Sequence, residues 1–252
     1  MPGQKRNIRL VVEYDGTSYH GFQVQDDTSL PTIQGELEAA IAMICDERIR
    51  IIGSGRTDAG AHALGQVVNF HTHASVPTER FAAALNSVLP RDIRVKQSES
   101  VPLSFHARFD AIAKTYVYIV DNRPHCSVFL RNYVYHVPQP LDIAAMEWAA
   151  GLLVGTQDYA SFQTSGSSAR TSVRTIDQLQ VETEGAVLRF TLRANGFLYN
   201  MVRNIVGTLL EVGKGRLLPE EVGTIIAARD RSQAGPTAPA CGLYLVEVEY
   251  CK

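Results

Sequence analysis

Apolar and polar positions alternate along the chain at two periods, and each change of period marks an element. Residues 8–14, IRLVVEY, follow the period of a strand. Through LPTIQGELEAAIAMICDE the apolar residues Ile33, Leu37, Ala40, Ile41 and Ile44 recur at helical spacing, with Thr32 placed to cap them. A strand over 66–70 comes next. Thr78 then caps a helix, TERFAAALNSVL, that Pro90 stops, and Ile93 with Val95 predict a further short strand.

Near residue 103 a similar order begins again. FHARFDAIAKTYVYIVD and RNYVYHV predict strands on either side of the turn signal Asn122-Arg123-Pro124. Asp142 opens the helix DIAAMEWAAGLLVG, with Ile143, Met146, Ala150 and Leu153 on one face. TSVRTIDQLQVETEG and AVLRFTLRAN predict a hairpin turning at Glu184-Gly185. The most periodic helix is YNMVRNIVGTLLEVG, whose apolar stripe is Val202, Ile205, Val206, Leu209 and Leu210. Asn200, Arg203, Asn204 and Gly207 form its opposite, polar face. Pro219 opens a last helix, PEEVGTIIAARD, and GLYLVEVEY closes the chain as a strand. The order predicts an α+β fold of two related halves, 1–103 and 104–252. Each half is a mainly antiparallel sheet with helices on one face, with the active-site cleft expected between them.

Composition narrows the class. With 252 residues, 45% hydrophobic and 20% charged, this is a folded chain with a sizeable core. No apolar run reaches the about 18–20 residues that span a bilayer. The start, MPGQKRNIRLVVEY, lacks the apolar stretch and cleavage site of a secretory signal. Cys45, Cys126, Cys241 and Cys251 are scattered without a CxxC pair, so a reduced, cytoplasmic protein is expected rather than a zinc ribbon or a disulfide framework. The net charge of −2 does not announce a polyanionic partner. Its basic residues are 19 Arg against 5 Lys, a bias that suits phosphate recognition and stacking on bases.

Candidate chemistry concentrates in residues 52–70, IGSGRTDAGAHALGQVVNF. Gly53, Gly55 and Gly60 make it a shaped loop, with one carboxylate, Asp58, two residues from Arg56. A phosphate-binding loop would need Lys and Ser or Thr after Gly60, where Ala61 and His62 stand, and a dinucleotide fingerprint would need Gly in place of Asp58. His62, His71 and His73 have no further ligand at a familiar metal spacing. The chain has no GxSxG elbow and no conspicuous pair of acids. Asp58 therefore remains as a nucleophile or as the cap of an ordinary turn. Arg203, on the polar side of its helix, is a candidate partner that would keep it ionised. Tyr116 and Tyr118 share one strand face, as core residues or as a surface on which a base stacks.

GRTDAGAHA, KTYVY, NGFLYNMVRNIVGTLLEVG and APACGLYL together resemble the TruA family of tRNA pseudouridine synthases. YDGTSYHGFQVQ and GTQDYASF resemble further blocks of it, so the likeness spans essentially the whole chain in order. It implies an isomerase that needs no cofactor or metal and converts uridine to pseudouridine at positions 38–40 in the tRNA anticodon stem–loop. It further implies that Asp58 is the nucleophile and that Arg203 pairs with it. Tyr116 would contact the target base, Arg56 would hold it out of its stack, and Leu243 would add an apolar contact. The family's two α+β halves work as a homodimer.

Overall fold

The protein is described by a computed structural model covering residues 4–25, 30–166 and 169–251. It divides into two compact units, Met1–Ile112 with Leu245–Lys252, and Ala113–Tyr244. Both are mixed α and β, and their strand pairings are mainly antiparallel.

In the first unit the strands β1 (Arg6–Tyr14), β2 (Ile52–Gly53), β3 (His62–Thr72), β4 (Ile93–Val101) and β10 (Leu243–Tyr250, from Leu245 onward) form a sheet in the order β4-β1-β3-β10, with β2 beside β3. Alternation along β1 sends Ile8, Leu10 and Val12 into a core shared with Ile33, Leu37 and Ile41 of α1 (Ile33–Cys45) and Phe81 and Leu85 of α2 (Phe81–Asn86). Each such side chain stabilises the fold by about 1.5–3 kcal/mol on leaving water. Thr32 caps α1 as its position predicts, its hydroxyl accepting Gly35 N–H at 3.2 Å.

Three expectations change in this unit. The strand expected over 66–70 begins at His62 and ends at Thr72. Gly65 lies mid-strand, where a Cβ would meet the Val246 carbonyl oxygen at 2.3 Å. Thr78 makes no cap: it opens a 3-10 turn, Thr78–Arg80, after which α2 spans only six residues. Residues 105–110 are turns, and β5 starts at Ala111. Two buried asparagines on the second face of the sheet hold these turns. Asn7 Nδ2 donates to Pro102 O and Phe105 O, and Asn69 Oδ1 accepts Ala107 N–H at 2.9 Å. Side chains thus take the place of a strand ladder.

In the second unit β5 (Ala111–Asp121, from Ala113 onward) pairs with β9 (Val187–Ala194), β9 with β8 (Val173–Glu184) and β8 with β7 (Gly155–Asp158), while the two-residue β6 (Tyr135–His136) runs parallel to β5. The β8–β9 hairpin turns where expected, at Gly185 with φ +60°. Helix α3 (Ile143–Leu152) packs on α4 (Met201–Gly213), on β8 and on α5 (Glu221–Ala228). Asp142 caps α3, its Oδ1 accepting Ala145 N–H at 2.9 Å. Pro219 lies in a turn ahead of α5, which starts two residues later than expected.

The polar side of α4 is covered by residues 234–238 of its own unit. A Cβ on Gly207 would lie 1.7 Å from Pro236 O, and one on Gly235 2.7 Å from Thr208 Cα. Asn204, fully buried, ties the two layers: its Nδ2 donates to Phe162 O at 2.8 Å, while its Oδ1 accepts Arg231 Nη2 at 3.0 Å and Thr237 Oγ1 at 2.6 Å.

Candidate active site

Asp58 stands on the loop between β2 and β3, and its surroundings within the first unit are built from backbone upward. Ala61 N–H donates to Asp58 O at 3.1 Å, closing a turn whose third residue, Gly60, has φ +79°. That sign at that position is the type II turn, which only glycine takes without strain. On the other side Thr57 is buried, its carbonyl accepting Phe22 N–H at 3.1 Å and its hydroxyl sharing a 2.7 Å hydrogen bond with Tyr14. Upstream, the buried Gln66 side chain accepts Ser54 Oγ–H at 2.7 Å and Val67 N–H, and donates to Gly55 O at 2.9 Å.

The segment after β1 lies directly over this loop. A Cβ on Gly16 would fall 1.9 Å from Ala61 O, and one on Gly21, at φ +82°, 2.8 Å from Thr57 O. His62 Nδ1 lies 3.2 Å from the Gly16 N–H that donates to it. Asp15 Oδ1, also 3.2 Å from Nδ1, accepts Thr17 N–H and Thr17 Oγ–H. The glycines around Asp58 thus serve close backbone approach, and Asp58 itself is partly exposed with Arg56 more exposed on the same loop. Among the described residues no three His, Cys, Asp or Glu side chains form a group able to hold a metal ion.

The other expected residues lie in the second unit, and the segment 238–243 connects them. Arg203 Nε donates to Ala238 O at 2.6 Å and Nη1 to Asn200 Oδ1 at 3.0 Å, while Ala238 N–H donates back to Arg203 O at 3.1 Å. Asn200 enters the helix at φ +60° and donates from Nδ2 to Thr164 Oγ1 at 3.1 Å. Tyr118 OH donates to Pro239 O at 2.6 Å, and burial pushes its phenol far above the ordinary range. Gly242 packs on that ring with no room for a Cβ, which would meet it at 2.8 Å. Leu243 follows, 5% exposed. Tyr116, 7% exposed, meets Phe197 edge-on with centroids 4.9 Å apart. Arg203, Tyr118 and Leu243 are therefore linked through one short segment, and Tyr116 shares the strand.

A family model described as tRNA pseudouridine synthase matches residues 10–110 and 149–251. The chain belongs to the tRNA pseudouridine synthase family. Three relatives, each 49% identical to it, bear closely related names. "tRNA pseudouridine synthase A" of Acetivibrio thermocellus aligns over 97% of this chain and 100% of its own length. "tRNA pseudouridine synthase A 2" of Clostridium tetani aligns over 97% and 99%, and the Brevibacillus brevis synthase A over 97% and 100%. Among solved structures, a chain of a Cbf5-Nop10-Gar1 complex aligns over 94% of this chain and 57% of its own, at 12% identity and a TM-score of 0.34.

Asp58, Arg56, Arg203 and Leu243 fall inside the stretches matched to the pseudouridine synthase model, whereas Tyr116 falls between them. Of the supporting residues, Tyr14, Thr57 and Asn200 stand inside the stretches that carry the resemblance and Gln66 just after one of them, but only the structure gives Tyr14, Thr57 and Gln66 a part in holding the Asp58 loop. No helix among the described residues is long and apolar enough to cross a membrane.

Proposed function

We propose that this pseudouridine synthase isomerises uridine to pseudouridine at positions 38–40 of the tRNA anticodon stem–loop, with Asp58 as nucleophile and no cofactor. The observation that supports this reading most is a partly exposed carboxylate on a loop held on both sides, in a chain aligned end to end with named synthases.

The reaction needs no net redox change. The bond from C1′ to N1 breaks, the uracil turns, C1′ bonds to C5, N1 takes up a proton and C5 loses one. Asp58 serves by attacking C1′, by adding to C6 of the ring, or by removing the C2′ proton to give a glycal; the three routes share this balance. A paired base must first leave its stack, at a cost of a few kcal/mol. Arg56, Tyr116, Arg203 and Leu243 are the substrate-binding residues of this reading. Arginine contacts to phosphates and to the shape of the RNA carry recognition in it, and the enzyme acts as a cytoplasmic homodimer.

Tritium release from tRNA carrying 5-³H-uridine tests the reading. Wild type releases tritium from an anticodon-arm substrate and Asp58→Ala does not. No release by wild type, or equal release by both, sinks it. An RNA-binding module without catalysis would instead leave binding and function untouched in Asp58→Asn.

A further inference from the structure

We infer that Tyr14 is a positioning residue for Asp58, acting through the hydroxyl of Thr57; this rests on the reading of Asp58 as nucleophile. Tyr14 is the last residue of β1, 3% exposed, and its hydroxyl lies 2.7 Å from Thr57 Oγ1 in a site closed to water. Its ring leans on Phe22 at 6.4 Å between centroids, and the Phe22 N–H holds Thr57 O. Tyr14 and Phe22 thus hold the side chain and the carbonyl of one residue, and Asp58 is the next one along.

Beyond Asp58, the Ala61 N–H fixes the carbonyl of Asp58 itself. With the backbone held on both sides, the carboxylate starts from a fixed base. A nucleophile must reach its target atom within roughly 0.5 Å, and that tolerance is set by the shell behind it. Burial pushes the Tyr14 phenol up to about 12, so it stays protonated at working pH, and its hydroxyl reaches Thr57 rather than the Asp58 carboxylate. Its contribution is geometric. Losing it slows the chemical step without weakening tRNA binding, and leaves the shape of the pH profile unchanged.

The test compares wild type, Tyr14→Phe, Thr57→Val, Thr57→Ser and the double variant Tyr14→Phe/Thr57→Val under single turnover on tRNA. Asp58→Ala runs in parallel, with tRNA affinity and thermal unfolding of each. Tyr14→Phe and Thr57→Val are each expected to slow the step by about 10- to 100-fold, the range for small misplacements of a reacting group. Affinity stays within about twofold, and Thr57→Ser, which keeps the hydroxyl, stays near wild type. The double variant is no slower than the slower single one, because both singles break the same Tyr14–Thr57 hydrogen bond, and whatever Tyr14→Phe also loses at Gln66 is already in that single.

A wild-type rate in Tyr14→Phe overturns the inference, as does a loss expressed only in affinity or multiplied in the double variant. Should Tyr14→Phe fail to fold, the contrast of Thr57→Val with Thr57→Ser decides alone. A fully active Asp58→Ala brings down the reading of Asp58. An inactive Asp58→Ala beside a fully active Tyr14→Phe overturns only the role of Tyr14.

Discussion

Gly16 and Ala61 touch backbone to backbone: a Cβ on Gly16 would lie 1.9 Å from the carbonyl oxygen of Ala61. The neighbour is main chain, anchored by the turn at Asp58, so it has no rotamer through which to give way. Gly16→Ala is expected to destabilise the protein by about 1–3 kcal/mol through overpacking. It should also lower tritium release more than its stability loss accounts for, because the displaced segment carries Asp58. Thermal unfolding and rates measured well below the midpoint check both; an Ala variant with wild-type rate and midpoint would show that the loops separate freely.

Arg203 offers two edges of its guanidinium to two fixed acceptors, Ala238 O at 2.6 Å and Asn200 Oδ1 at 3.0 Å. Lysine has the charge without the planar fork. Arg203→Lys is therefore expected to lose at least about tenfold in rate, each tenfold being about 1.4 kcal/mol in the barrier, with the fold retained. Arg203→Ala should cut the rate further and also lower stability by about 1–3 kcal/mol, since Ala238 O loses its side-chain donor. Circular dichroism and single-turnover rates separate the effects, and loss of folding in both variants would make Arg203 chiefly structural.

Asn204 is a buried hub, with Arg231 and Thr237 both donating to its one oxygen. Replacement by Leu takes the acceptor from the Thr237 hydroxyl and the side-chain donor from Phe162 O, at about 2–3 kcal/mol. For a chain of this size that lowers the midpoint of thermal unfolding by roughly 4–12 °C. Calorimetry checks it, and an unchanged midpoint would mean the segment after α5 contributes little to the unit.

Asp121 is expected to give the stability of the protein an acid limb. Its carboxylate accepts Arg123 Nε and Nη2, each at 2.7 Å, and that pairing holds it below the usual carboxylate range. A lowered folded-state value means stability that is present above the unfolded-state value near pH ~4 and is lost as pH falls through the folded one. The midpoint advantage of wild type over Asp121→Asn is therefore largest at neutral pH and shrinks below pH ~4. Unfolding curves at pH 7 and pH 3 check the sign.

Much of this was legible from local chemistry. Helix α1 begins where Thr32 was expected to cap it, α3 where Asp142 was, and the β8–β9 hairpin turns at Gly185, because each depends on residues a few positions apart. The errors fall where a distant segment decides. Residues 105–110 have a strand-like pattern but bond to Asn7 and Asn69, and the cover on the polar side of α4 comes from some thirty residues away.

By itself the sequence determined the alternation of elements, the starts of α1 and α3, the loop that holds Asp58, and a likeness to the synthases that matched nearly the whole chain. Periodicity and capping act over one or two turns, so they survive in a linear reading. Only the tertiary structure decided that β10 returns from Leu245 onward to the first unit beside β3, why Gly16 and Gly207 must lack side chains, and that Tyr14 stands behind Thr57. Those facts come from close approach between segments far apart in the chain, whose pairing no local pattern encodes.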